Sequence, residues 1–161
     1  MHATPTTTAT LLRDAVHHLS QYGLNQDHAA FVGPATGHLD HGPLDVCAAI
    51  YMAATAEALP AVFRSTDPAD VHLAIELIKG NRDAMTAIHA VWQGLNSKIT
   101  DEDLCDGVPA VDGPDEWIDR VSYWAGTAPT SSAKPPTLLE VMGRLLRTAT
   151  SLEHQTTVLA A

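Results

Sequence analysis

The sequence predicts an all-α fold: a compact single-domain bundle of five or six helices, with a long loop after helix 1 and a Pro-rich linker before the last helix. Three observations carry this expectation. Apolar residues recur at helical spacing through most of the 161 residues. Cap residues, prolines and glycines punctuate those stripes as helix starts and stops. Val and Ile fall on the stripes instead of alternating, so neither a strand nor an internal repeat emerges.

Thr10 is the expected cap of the first helix, in which Leu12, Ala15, Val16 and Leu19 form one stripe and Gly23 is the stop. His17 and His18 fall on this helix, with Asp14 one turn before His18. A loop from Leu24 to Gly42 carries His28, His38 and His41. Pro43 suits a first helical position, and from Leu44 to Glu57 the chain is apolar on almost every face, as befits a central helix. A short helical piece follows at Pro60-Ala61-Val62-Phe63. Asp67-Pro68-Ala69-Asp70 combines a cap, a first-turn proline and an acid beyond it. Val71, Ala74, Ile75 and Ile78 continue that helix to Gly80. Asn81 can cap the next, with Met85, Ile88 and Trp92 along one side before Gly94.

An acidic loop from Thr100 to Asp115 leads to a helix carrying Trp117, Ile118, Val121 and Trp124. The stretch from Ala128 to Pro136 is too rich in Pro and Ser for regular structure. Thr137-Leu138-Leu139-Glu140 then reads as a capping box, hydroxyl and carboxylate each serving an amide at the helix start. Leu138, Val141, Met142, Leu145, Ala149 and Leu152 form its stripe. The domain is expected over residues 10–153, with a disordered tail at 1–9 and a frayed one at 154–161.

A chain of this length suits one domain that buries about two thirds of its unfolded surface. Its 45% hydrophobic content excludes disorder throughout. Nine Lys and Arg against 19 Asp and Glu leave a formal net charge of -10. Such a surface repels phosphate backbones and anionic lipid, so neither nucleic acid nor membrane is an expected partner. A cationic partner or substrate suits the field better. Two cysteines make no disulfide framework. Cys47 reads as a small core residue, and Cys105 lies among carboxylates that keep its thiol protonated. Met1 to Thr10 lacks the basic and apolar parts of a signal peptide, and no apolar run approaches the ~20 residues of a membrane span. A cytoplasmic protein is the expectation.

Three stretches together resemble a family of small, uncharacterised actinobacterial proteins, a domain of unknown function. They are Leu12-Arg13-Asp14-Ala15 leading to Tyr22-Gly23-Leu24-Asn25-Gln26, then Leu44-Asp45-Val46-Cys47-Ala48-Ala49-Ile50-Tyr51, and then Val121-Ser122-Tyr123-Trp124-Ala125 followed by Pro136 to Leu146. Where members of that family often carry Trp-Cys-Gln, this chain has Leu24-Asn25-Gln26. The resemblance implies a compact helical domain and an actinobacterial source, and it implies no activity.

The densest chemistry is His38, Asp40, His41 and Asp45, all within nine residues at the mouth of the apolar helix. Imidazole and carboxylate are ligands for Zn, Fe or Mn, and spacings of two to four residues let one turn converge on one ion. His18, or else His17 or His28, could complete a metal set built on His38, Asp40 and His41. A divalent transition metal is the one cofactor these residues admit. For catalysis the candidates are His38, His41 and Asp45, a histidine acting as general base. The alternative reading is structural: Asp45 suits exposed first-turn amides, and the rest makes a solvated turn. The acidic run from Asp101 to Asp112 departs from the calcium-loop pattern, with Cys105 at its fifth position and Gly107 at its seventh. There is no Gly-x-Ser-x-Gly elbow, and Gly33-Pro34-Ala35-Thr36-Gly37 lacks the lysine of a phosphate loop. Trp92, Trp117, Trp124, Tyr51 and Tyr123 read as core or as pocket lining. Arg144 and Arg147 read as a solvated pair.

Two functional expectations follow. One is a non-catalytic helical module that binds a protein partner or a small ligand. A homodimer is one form it could take, through the Ala-rich run from Cys47 to Ala56. The other is a small metal- or histidine-dependent enzyme with its site around His38, Asp40, His41 and Asp45.

Overall fold

The structure, a computed structural model, describes residues 7–35, 37, 41–96 and 113–160. Six α-helices account for most of them: α1 (Thr8–Tyr22), α2 (Val46–Thr55), α3 (Pro68–Gly80), α4 (Arg82–Asn96), α5 (Pro114–Gly126) and α6 (Leu138–Ala160). A 3-10 turn, Ala61–Arg64, stands between α2 and α3. The all-α expectation is met. Among the described residues β pairing is limited to two isolated bridges, in which Leu44 meets Leu24 and Val32. No helix of the described residues is long and apolar enough to cross a membrane.

Most helix boundaries follow local chemistry. Asp67 accepts the Ala69 amide at 2.8 Å and starts α3, with Pro68 in the first turn. Asn81 accepts the Ala84 amide at 2.9 Å and starts α4. The capping box closes as predicted: Thr137 N donates to Glu140 Oε2 at 2.8 Å, and Glu140 N to Thr137 Oγ1 at 3.2 Å. Gly23 ends α1 in the left-handed region, φ 91°, where a Cβ would be strained.

Four boundaries differ from the sequence reading. Thr7, not Thr10, caps α1, accepting the Thr10 amide at 3.1 Å. The buried Ala9 and Leu11 draw that extra turn into the helix. Pro43 is not in α2; its carbonyl accepts the Gly33 amide at 2.8 Å, and Asp45 is the cap. α4 runs past Gly94 to Asn96, since burying Val91 and Leu95 outweighs the ~1 kcal/mol that a helical glycine costs. α6 continues to Ala160, beyond the expected domain edge at 153. At that edge the Arg13 guanidinium of α1 holds Glu153 of α6, Nε to Oε1 at 3.2 Å and Nη2 to Oε2 at 2.9 Å.

Helix α2 lies at the centre, packed on α1, α4 and α5, while α6 lies along α1. Cys47, Ala48, Ala49, Ile50, Tyr51 and Met52 are all buried. The first half of the Ala-rich run thus packs against helices of its own chain, while Ala53, Ala54 and Thr55 are half-buried and Ala56 is exposed. Each fully buried Leu, Ile or Phe of this core contributes about 1.5–3 kcal/mol.

The described residues of the loop after α1 fold onto the helices. Leu44 N donates to Gly23 O at 2.9 Å, Asn25 N to Leu44 O at 2.8 Å, Val32 N to Phe63 O at 2.9 Å and Asp45 N to Phe31 O at 2.7 Å. With these amides satisfied, Val32 and Leu44 enter the core. Asp45, the last residue before α2, is therefore held in place.

A buried carboxylate between α2, α3 and α5

Asp45 is 8% exposed, one of two buried polar residues among those described. Its Oδ1 accepts the Cys47 amide at 2.7 Å and the Ser122 hydroxyl at 3.0 Å. The first bond caps α2; the second ties that cap to α5. Burial is the dominant influence on its acidity and pushes the carboxyl up to about 6. The bonds from Cys47, Ser122 and the Ala48 amide pull the other way, as does the charge of His28. Cys47 lies beside it, with the Ser122 hydroxyl 3.4 Å from its sulfur. Burial, reinforced by the Asp45 carboxylate, raises that thiol far above the ordinary range, so it is no nucleophile.

Asp45 opens on a cavity of about 340 Å³ between the loop, α3 and α5. Phe31, Val71, Ile75 and Ile118 supply apolar wall, and Asp27, Asp115, Glu116, Asp119, Ser122 and His28 supply polar groups. Two of those acids already have partners. Lys79 Nζ lies 3.2 Å from Asp115, and Arg120 Nε lies 2.7 Å from Glu116. No lysine or arginine is among the described residues that line the cavity. The site can therefore stabilise positive charge beside an apolar body, as small-molecule pockets with a few convergent polar groups do.

His41 and His18 line a different cavity, of about 420 Å³, together with Asp14, His17, Tyr22 and Glu57. His41 is 5% exposed. Arg64 Nη1 lies 3.2 Å from its Nδ1, and the guanidinium can only donate. Burial lowers the pKa of His18, helped by neighbouring His17. Its Nδ1 is buried with no hydrogen-bond partner among the described residues.

Of the predicted metal set, His18 and His41 thus share a cavity, while His38 and Asp40 lie outside the described residues. Among the described residues no group of three His, Cys, Asp or Glu could hold a metal ion. Asp45 belongs to the first cavity, so His41 and Asp45, close in sequence, face different spaces. His28 also faces the first cavity, its Nε2 3.0 Å from Thr127 Oγ1. It does not join His18 and His41. Cys105 and the stretch 101–112, with its calcium reading, lie outside the described residues. Trp92 stacks on His89 at 5.5 Å between ring centroids and Trp117 packs tilted against it at 4.1 Å, away from either cavity's lining. Arg144 is not simply solvated: its Nε is buried without a hydrogen-bond partner among the described residues, and burial lowers its pKa.

Ser122 and Asp119 were not legible as site residues. The one signal was a hydroxyl four residues after Ile118, on the face that Ile118 and Ala125 bury. No protein-family profile, curated protein or solved structure matches the chain.

Proposed function

We propose that the protein is a small-ligand-binding module, that the Asp45 cavity is its site, and that the ligand is a protonated organic amine with an apolar body. The observation that carries this reading is a nine-tenths-buried carboxylate opening on a partly apolar cavity with no lysine or arginine among its described lining residues. Holding that charge out of water is unfavourable, and an ammonium group seated against it would offset the penalty. Phe31, Val71, Ile75 and Ile118 would bury the remainder of the ligand. A cytoplasmic location belongs to the same proposal and accords with the acidic surface. The resemblance to small actinobacterial helical proteins brings no activity to it.

Isothermal titration with benzylamine and cyclohexylamine, beside benzyl alcohol and benzoate, tests the reading. Binding of the amines alone, weakened about tenfold or more by Asp45→Asn, is the expected result. Ile75→Trp, which fills the cavity, should abolish it. Amines that fail to bind, or that bind no better than the alcohol, would sink the proposal.

A second reading, a metal- or histidine-dependent site, rests on His18 and His41 lining one cavity. Elemental mass spectrometry of tag-free protein tests it, with a His38→Ala/His41→Ala variant alongside. About one Zn, Fe or Mn per chain, lost in the variant, would favour this reading over the first; negligible metal in both would remove it.

A further inference from the structure

We infer that His28 sets the affinity of the Asp45 cavity for a cation: as imidazolium it occupies the field of the same carboxylates and competes with the ligand. This rests on the amine reading above. Among the described lining residues His28 is the one basic side chain, and the others that carry charge are carboxylates. It does not swing freely at the mouth. Its Nε2 meets Thr127 Oγ1 at 3.0 Å, and its ring stacks on Tyr123 at 6.0 Å and 20°. Gln26 Nε2 holds the same loop down on Ala125 O at 3.1 Å and Pro136 O at 2.7 Å. Gly126 makes the seat, for a Cβ there would stand 2.7 Å from His28 Cε1.

The charges that line the cavity with His28 are carboxylates: Asp27 on its own loop, Asp45 at the α2 cap, and Asp115, Glu116 and Asp119 on α5. α3 contributes Val71 and Ile75, which are apolar. The nearby cations Lys79 and Arg120 are engaged by Asp115 and Glu116. The influence of His28 on Asp45 is felt in the carboxyl's acidity, where an imidazolium favours the ionised form. A cationic ligand would draw on that same attraction, so proton and ligand are linked. A proton on Asp45 removes the ligand's partner and a charge on His28 opposes the ligand, so each weakens binding.

The test is the Kd of benzylamine at about pH 8 and about pH 5.5, in wild type, His28→Gln and Asp45→Asn. The quantity read is the ratio of the acid to the alkaline Kd. His28→Gln should shrink that ratio on the order of tenfold, leaving the part due to Asp45. His28→Asn is the second neutral variant, should the longer amide disturb the loop. Wild-type binding with an unchanged ratio in both variants overturns the role of His28 alone. Absence of binding to wild type at alkaline pH overturns the amine reading, and this inference with it.

Discussion

The Ser122 hydroxyl meets the Asp45 carboxylate at 3.0 Å across 77 positions of sequence. That one bond joins the start of the central helix to α5. The same carboxylate oxygen accepts the Cys47 amide, so capping and cavity lining are carried by one side chain.

The stability of the protein should depend on pH through Asp45. Its carboxyl sits at about 6 in the folded chain, against an ordinary 3.8. A raised value means that the folded state holds the proton more tightly. The contribution is fully present below about pH 4 and is lost as pH rises through about 6. An asparagine at this position would keep the cap without the charge. Urea unfolding at about pH 4 and about pH 8 should therefore shift by up to about 3 kcal/mol in favour of Asp45→Asn, at about 1.4 kcal/mol per pH unit. Parallel pH profiles for the two proteins would contradict this.

The Cys47 thiol should be inert in the folded state. It is fully buried, and burial together with Asp45 keeps it protonated. Peptide mapping after iodoacetamide should find Cys47 unmodified in native protein and modified in urea. Rapid native labelling at this position would contradict its placement.

Gly42→Ala should be strongly destabilising. A Cβ at this position would collide with the backbone oxygens of Gly33 and Pro34. Backbone cannot rotate away as a side chain can, so the cost should reach or exceed the ~1–3 kcal/mol of ordinary overpacking. Thermal unfolding of the variant checks it, and a melting temperature equal to wild type would refute it.

The capping box at α6 offers a milder change. Thr137→Ala removes the acceptor for the Glu140 amide and should cost about 1 kcal/mol. Thr137→Ser should recover most of that loss in the same denaturant titration.

Much of the fold was legible because its signals are local. Asp67-Pro68, Asn81, Gly23 and Thr137 to Glu140 act on backbone groups within four residues, and each does so in the structure. The errors came where distant packing outweighed a local preference. Gly94 was passed over because Val91 and Leu95 are buried on either side of it in sequence, and Pro43 was taken from the helix by backbone bonds to the loop. The candidate site was legible in part. Asp45 stood out as a carboxylate at a helix mouth, but its grouping with His41 by nearness in sequence did not hold.

The sequence by itself determined an acidic chain of amphipathic or apolar helices, the capping of most of them, and the presence of a carboxylate before α2. Those follow from residue type and from spacings of three and four, which a helix turns into faces. Only the tertiary structure decided that Asp45 meets Ser122, that His28 shares its cavity, and that His41 turns instead toward Arg64 and Tyr22. Burial and contact between elements far apart in sequence set those relationships, because the desolvation of a charge depends on everything packed around it.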